Sequence, residues 1–205
     1  MKERTDKPAL ADCLELRATT QGDGDPRGVG AVPATPADLF AVLDRLGIET
    51  RTVAHAPVFT VAESAAVKAA IPGGHSKNLF LADRKGRLFL VTARDHARID
   101  LKRLHGPIGA TGRLSFGSAD LLRATLGVEP GSVTPFAVLN DRAGRVAVIL
   151  DAGLMAFERV NVHPLVNHAT TTIAGADLIR FLEAAGHAPR VLTLPEPERP
   201  HPPAP

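Results

Sequence analysis

The chain has 205 residues, 44% hydrophobic and 22% charged, with a formal net charge of +2, a balance that excludes disordered and fibrous classes and leaves room for one ordinary domain with tails. A single cysteine, Cys13, excludes an internal disulfide framework and fits a reducing compartment. No run approaches the ~20 apolar residues of a membrane span and the N-terminus has no apolar signal core, so a cytoplasmic protein with no membrane partner is expected.

Residues 1–33 mix charges and glycines without apolar periodicity and read as a flexible extension. A folded domain is expected over 34–194, and residues 195–205, PEPERPHPPAP, read as a proline-rich tail. Thr35-Pro36-Ala37-Asp38 offers an N-cap, a first-turn proline and an acid ahead of an apolar stripe that Gly47 ends. Ile48 to His55 reads as a strand, and Thr60-Val61-Ala62-Glu63 as a capping box opening a helix to about Ala70. Lys77–Ala82 and Arg87–Ala93 are β-prone runs around Asp83-Arg84-Lys85-Gly86, a hairpin pattern.

A short helix is expected at Asp100–His105, a strand at Arg113–Phe116 and a helix from Ser118 to Leu126. Phe136–Asn140 and Arg145–Asp151 read as a second hairpin around Asp141-Arg142-Ala143-Gly144. Strands follow at Phe157–Val162 and Thr170–Ile173, then a helix at Asp177–Ala185 and an edge strand at Arg190–Leu194. Hairpins interrupted by helices favour an α+β fold, a mixed β-sheet flanked by helices, over regular βαβ alternation.

Charge is concentrated in residues 83–113, which hold eight Lys or Arg against three Asp, a net +5, so the rest of the chain is net acidic. Two readings are open for this segment, which contains Arg94, Arg98, Lys102 and Arg103: a phosphate-facing surface, or a solvated face with no ligand. The chain has neither Trp nor Tyr, which weakens any model of bases stacked along an aromatic platform.

Three segments place polar groups beside strand-like apolar residues. Lys77 lies where a glycine-rich loop meets a strand; its ammonium can polarise a carbonyl or hold a phosphate in a desolvated cleft, or simply reach into water. Asn78 beside it can donate and accept. Gly131-Ser132-Val133-Thr134-Pro135 can expose backbone N–H and C=O groups to an amine or ester, or be a plain loop. His163-Pro164 breaks a strand, with Asn167 four residues beyond it in the same loop. No G-x-S-x-G elbow, Walker A run or zinc-ligand spacing is present.

Thr60-Val61-Ala62-Glu63, Ser76-Lys77-Asn78-Leu79-Phe80-Leu81, Gly131-Ser132-Val133-Thr134-Pro135-Phe136 and Val162-His163-Pro164-Leu165-Val166-Asn167 stand in the order of a known family. By them the chain resembles the aminoacyl-tRNA deacylases related to the bacterial prolyl-tRNA synthetase editing domain, over about residues 35–185. The resemblance implies a trans-editing hydrolase that needs no metal or other cofactor. Its substrate would be mischarged tRNA(Pro), alanyl-tRNA(Pro) first, with cysteinyl-tRNA(Pro) as an alternative, prolyl-tRNA synthetase as a further partner and no DNA. It assigns catalytic roles to Lys77, Gly131 and His163, and substrate contacts to Asn78, Ser132, Val133, Thr134, Pro135 and Asn167. Arg94, Arg98, Lys102 and Arg103 would then meet the tRNA. Ala137 and His168 depart from the family's usual residues. A different class also fits these residues: a module that binds tRNA or an amino acid without catalysis.

Overall fold

A computed structural model describes residues 32–56 and 68–197. The capping box at Thr60–Glu63 lies outside the described residues, as do almost all of the N-terminal extension and most of the tail; the helix expected to end near Ala70 is helical over 68–70.

The first helix, α1 (Pro36–Arg45), begins as its sequence dictates: the Thr35 side chain accepts from the Asp38 amide while the Asp38 carboxylate accepts from the Thr35 amide. Strands β1 (Thr50–Ala54), β2 (Gly74–Ala82) and β3 (Leu88–Arg94) follow, then α2 (Leu101–Leu104), β4 (Ser115–Phe116) and α3 (Ala119–Leu126). After a 3-10 helix at Pro135–Asn140 come β5 (Val146–Asp151), α4 (Ala152–Met155), β6 (Arg159–Val162), β7 (Ala169–Ala174), α5 (Gly175–Ala184) and β8 (Arg190–Leu192). The strands form one mixed sheet in the order β1-β7-β6-β2-β3-β5-β8, with β4 paired to β2. β2 and β3 are the expected antiparallel hairpin, whereas β2–β6, β3–β5 and β5–β8 are parallel.

Central strands buried on both faces explain the near-continuous apolar runs. Phe80, Leu90, Val148, Val160 and Ile173 pack with α1, α3, α5 and the 3-10 helix on one face. Their neighbours Leu81, Phe89, Val91 and Ile149 pack on the other against Leu104, Ile108 and Leu194. Phe136 and Phe181 meet edge to face at 5.1 Å in the first core.

The second hairpin is a correction. Residues 136–140 are not a strand: Thr134 caps and Pro135 opens a 3-10 helix, and residues 135–139 are all buried. An apolar run without alternation fits a buried helical turn as well as a strand. β5 pairs instead with β3 and β8, and the Asp141 carboxylate anchors its start by accepting from the Val146 amide at 2.7 Å. Among the described residues no helix is long and apolar enough to cross a membrane.

Candidate functional site

Strand β2 joins the two halves of the sheet, and the site lies where it leaves β6. The two pair in parallel through Gly74–Val160 and His75–Asn161, then part. Because strand side chains alternate, Lys77 shares a face with His75, and His163, just past β6, shares that face with Asn161. Two sequence-predicted residues, 86 positions apart in the chain, thus stand on one face at the mouth of a strand divergence.

Asn78 points to the opposite face from Lys77. Its amide donates to the Val133 carbonyl at 2.8 Å and its oxygen accepts from the Thr92 hydroxyl at 2.8 Å. The Gly131–Pro135 turn is therefore clamped to the shared strand by a side chain held on both of its ends. Ser132, Thr134 and Pro135 turn inward and are buried, and Val133 packs against the first core. Gly131 stays exposed with φ +91°, where any other residue is strained. A Cβ built on it would lie 3.9 Å from the Asn167 amide nitrogen, so the turn meets the 163–168 loop. That loop holds Leu165, which is buried with φ +67°. Such conformations persist where surrounding packing enforces them, and they cluster at ligand sites.

The Lys77 ammonium donates to the Ala97 carbonyl just beyond β3, which ties the lysine to the segment carrying the basic residues. Arg94 is held by the Asp151 carboxylate, which accepts from its backbone amide at 3.2 Å and lies 3.5 Å from its Nε. Its guanidinium lies on Gly153, where a Cβ would come within 2.6 Å. Arg98, Lys102 and Arg103 are exposed.

His163 donates from Nδ1 to the Ala169 carbonyl at 3.2 Å, leaving Nε2 as an acceptor. Burial pushes its pKa down, the bond to Ala169 pulls it up and nearby His55 pushes it down again, with a net value below 6.5. The unfolded chain therefore binds this proton more readily. The folded form has its full stability from this residue above about pH 6.5 and loses it as pH falls through the depressed value. His163→Gln is expected to flatten the dependence of the thermal midpoint on pH as pH falls below about 6.5, as measured by melting curves on the acid side of that value.

Thr92 carried no motif, yet it was accessible by counting outward from the Asp83–Gly86 turn, because hairpin register sets it opposite Asn78. Asn161 is a second support. It donates to Pro72 O at 3.1 Å, accepts from Thr172 at 2.6 Å and is buried, tying β6 and β7 to the turn before β2. Among the described residues no three His, Cys, Asp or Glu gather into a metal-holding group.

Fold and site define an α+β domain that presents a clamped backbone turn, a lysine and a half-buried histidine where two parallel strands part. Residues 55–181 match the model of the aminoacyl-tRNA editing domain, and the chain belongs to that family. It is 39% identical over 157 residues to the prolyl-tRNA editing protein ProX of Acetoanaerobium sticklandii, covering 76% of this chain and 95% of that one. It is 38% identical over 171 residues to prolyl-tRNA synthetase associated domain-containing protein 1 of Danio rerio, covering 80% and 92%. A solved structure of a candidate trans-editing enzyme for prolyl-tRNA synthetase superposes with TM-score 0.61 at 22% identity, covering 80% of this chain and 99% of that one, and shares the fold.

Proposed function

We infer that the chain is a trans-editing deacylase acting in the cytoplasm, which hydrolyses the ester joining a small, wrongly attached amino acid to tRNA(Pro), with alanyl-tRNA(Pro) as substrate. The observation that carries this reading is the Gly131–Pro135 turn, clamped by Asn78 and approached by Asn167, beside the strand divergence at which Lys77 and His163 stand. The names of its relatives, which concern prolyl-tRNA editing and association with prolyl-tRNA synthetase, support the choice of tRNA and of that synthetase as a partner.

Lys77 orients the terminal nucleotide or the ester carbonyl, and backbone groups at Gly131 hold the amino acid and stabilise negative charge as water attacks. The ester C–O bond breaks, the carboxylate leaves as the free amino acid and the sugar hydroxyl regains a proton. No general base is assigned among the described residues, and positioning and electrostatics supply most of the acceleration. Ser132, Val133, Thr134 and Pro135, packed inward, hold in place the turn whose backbone borders a pocket that admits alanine and refuses proline, a second sieve. Arg98, Lys102 and Arg103 meet the tRNA backbone, and Arg94 braces that surface through Asp151.

The test is release of labelled amino acid from alanyl-, cysteinyl- and prolyl-tRNA(Pro). Alanine is expected to leave fastest and proline no faster than in buffer. Faster release of cysteine overturns the substrate choice. Release from none of the three above the buffer rate overturns the enzyme reading in favour of a binding module.

A further inference from the structure

The sheet face that carries Lys77 and His163 continues, past the His75–Asn161 pair, into a second concavity of about 630 Å³. Its floor is Val53 and Thr172, its near wall the 70–73 segment and its far wall Phe157. The volume lies in the range of small-ligand pockets.

Phe157 is 41% exposed, one of few large apolar side chains so placed. A Cβ on Gly74 would sit 2.6 Å from its ring, so the ring packs directly against the backbone of β2 and also lines the pocket. Arg51 and Arg159 stand at the rim, both exposed. The register puts them on one face: Arg51 pairs with Thr172, Thr172 with Asn161, and Arg159 is two residues before Asn161. With β7 between their strands they are rooted roughly 10 Å apart, a gap two long guanidinium side chains can close around one anion. Neither arginine side chain makes a hydrogen bond or ion pair with another described residue. Among the described residues Glu158 is the one acid in the lining, and their charges sum to +1. An aromatic face, an apolar floor and two uncommitted guanidiniums make a receptor for a nucleotide, with the base on the ring and the phosphate between the arginines.

We propose that this pocket holds one nucleotide of the unpaired 3′ strand of the bound tRNA, upstream of the esterified end. The assignment rests on the deacylase reading for its substrate. Arg159 and His163 are four residues apart along β6 and its extension, or ~13 Å. A strand covers that span in about four stacked nucleotides at ~3.4 Å each, and in fewer when stretched. The pocket therefore grips the strand at a distance from the ester and contributes to tRNA affinity without touching the reacting atoms.

The probe is a fluorescein-labelled pentaribonucleotide ending in CCA, with binding followed by anisotropy at several salt concentrations. Arg51→Glu with Arg159→Glu, both at exposed positions, is expected to weaken binding at least tenfold and to shrink the slope of log affinity against log salt by one or more units. Phe157→Leu, which keeps an apolar side chain over Gly74, is expected to weaken binding about tenfold with the slope unchanged. In deacylation, the double variant should raise KM for alanyl-tRNA(Pro) while leaving release from alanyl-adenosine, which has no upstream nucleotide, as in the wild type. Equal oligonucleotide affinity in wild type and double variant overturns the proposal, as does equal loss on alanyl-adenosine. Cytidine monophosphate binding as tightly as the pentamer also overturns it, in favour of a free-nucleotide site. If wild type binds the pentamer in the charge-dependent way but releases no amino acid from any tRNA, the deacylase reading fails and the pocket stands.

Discussion

Lys77→Ala is expected to lower the rate of amino-acid release from alanyl-tRNA(Pro) by about 10²–10³-fold, the usual cost of removing one preorganised group aimed at developing charge. The loss should not come through unfolding. Lys77 is half-buried in a strand secured on both sides, by antiparallel pairing with β3 and by the β6 contacts at Gly74 and His75. Its one side-chain bond among the described residues, to the Ala97 carbonyl, joins a turn that the Ala97 amide also closes by donating to Arg94 O. The thermal midpoint should therefore move by only a few degrees. Steady-state kinetics separate the lysine's two possible tasks. A fall in kcat with KM nearly unchanged places the ammonium at the ester carbonyl in the transition state, whereas a rise in KM with kcat preserved makes it a ground-state anchor for the terminal nucleotide. Lys77→Arg keeps the charge but replaces a compact ammonium by a planar fork, and should recover anchoring better than carbonyl polarisation. Unchanged kinetics in Lys77→Ala would remove the lysine from the proposed mechanism.

The sequence revealed the fold's local features more fully than their connections. The Thr35 cap and the Asp83–Gly86 hairpin were legible because each is set by a few neighbouring residues with a specific backbone demand. The parallel pairings of β2 with β6 and β3 with β5 were not, since they join segments more than 50 residues apart and nothing local encodes them. The same limit applied at the site. Lys77 and Asn78 both lie in the run Lys77–Ala82, so their opposite faces are legible, but their partners Ala97 and Val133, 20 and 55 residues away, are not. The sequence began that strand at Lys77, where it starts at Gly74. The run Phe136–Leu139 is four apolar residues without a period, which fits strand and helical turn alike, and a buried threonine in an apolar strand such as β3 looks like packing until register sets Thr92 against Asn78.

Asn78→Ala is expected to cost about as much activity as loss of the lysine, by a different route. The side chain is the only bond we find between β2 and the Gly131–Pro135 turn among the described residues, and its two ends are both used: Nδ2 to Val133 O and Oδ1 from Thr92. Alanine leaves the Thr92 hydroxyl and the Val133 carbonyl without these partners, with an expected loss of about 1–3 kcal/mol in stability, read as a lower urea midpoint. The turn then loses its fixed distance from the cleft, and a displacement of ~1 Å costs about 10²-fold in rate. Two further variants divide the effect. Asn78→Asp still accepts from Thr92 but opposes a carboxylate to the Val133 carbonyl, so it should free the turn and lose activity as alanine does. Thr92→Val keeps the Val133 bond and removes only the group that orients the amide, so its loss should be smaller, about tenfold. Amide hydrogen exchange across 131–135 supplies the independent readout: protection should drop in Asn78→Ala and Asn78→Asp and hold in Thr92→Val. If exchange stays slow in all three while activity falls, Asn78 acts on the substrate directly and the clamp is incidental to catalysis.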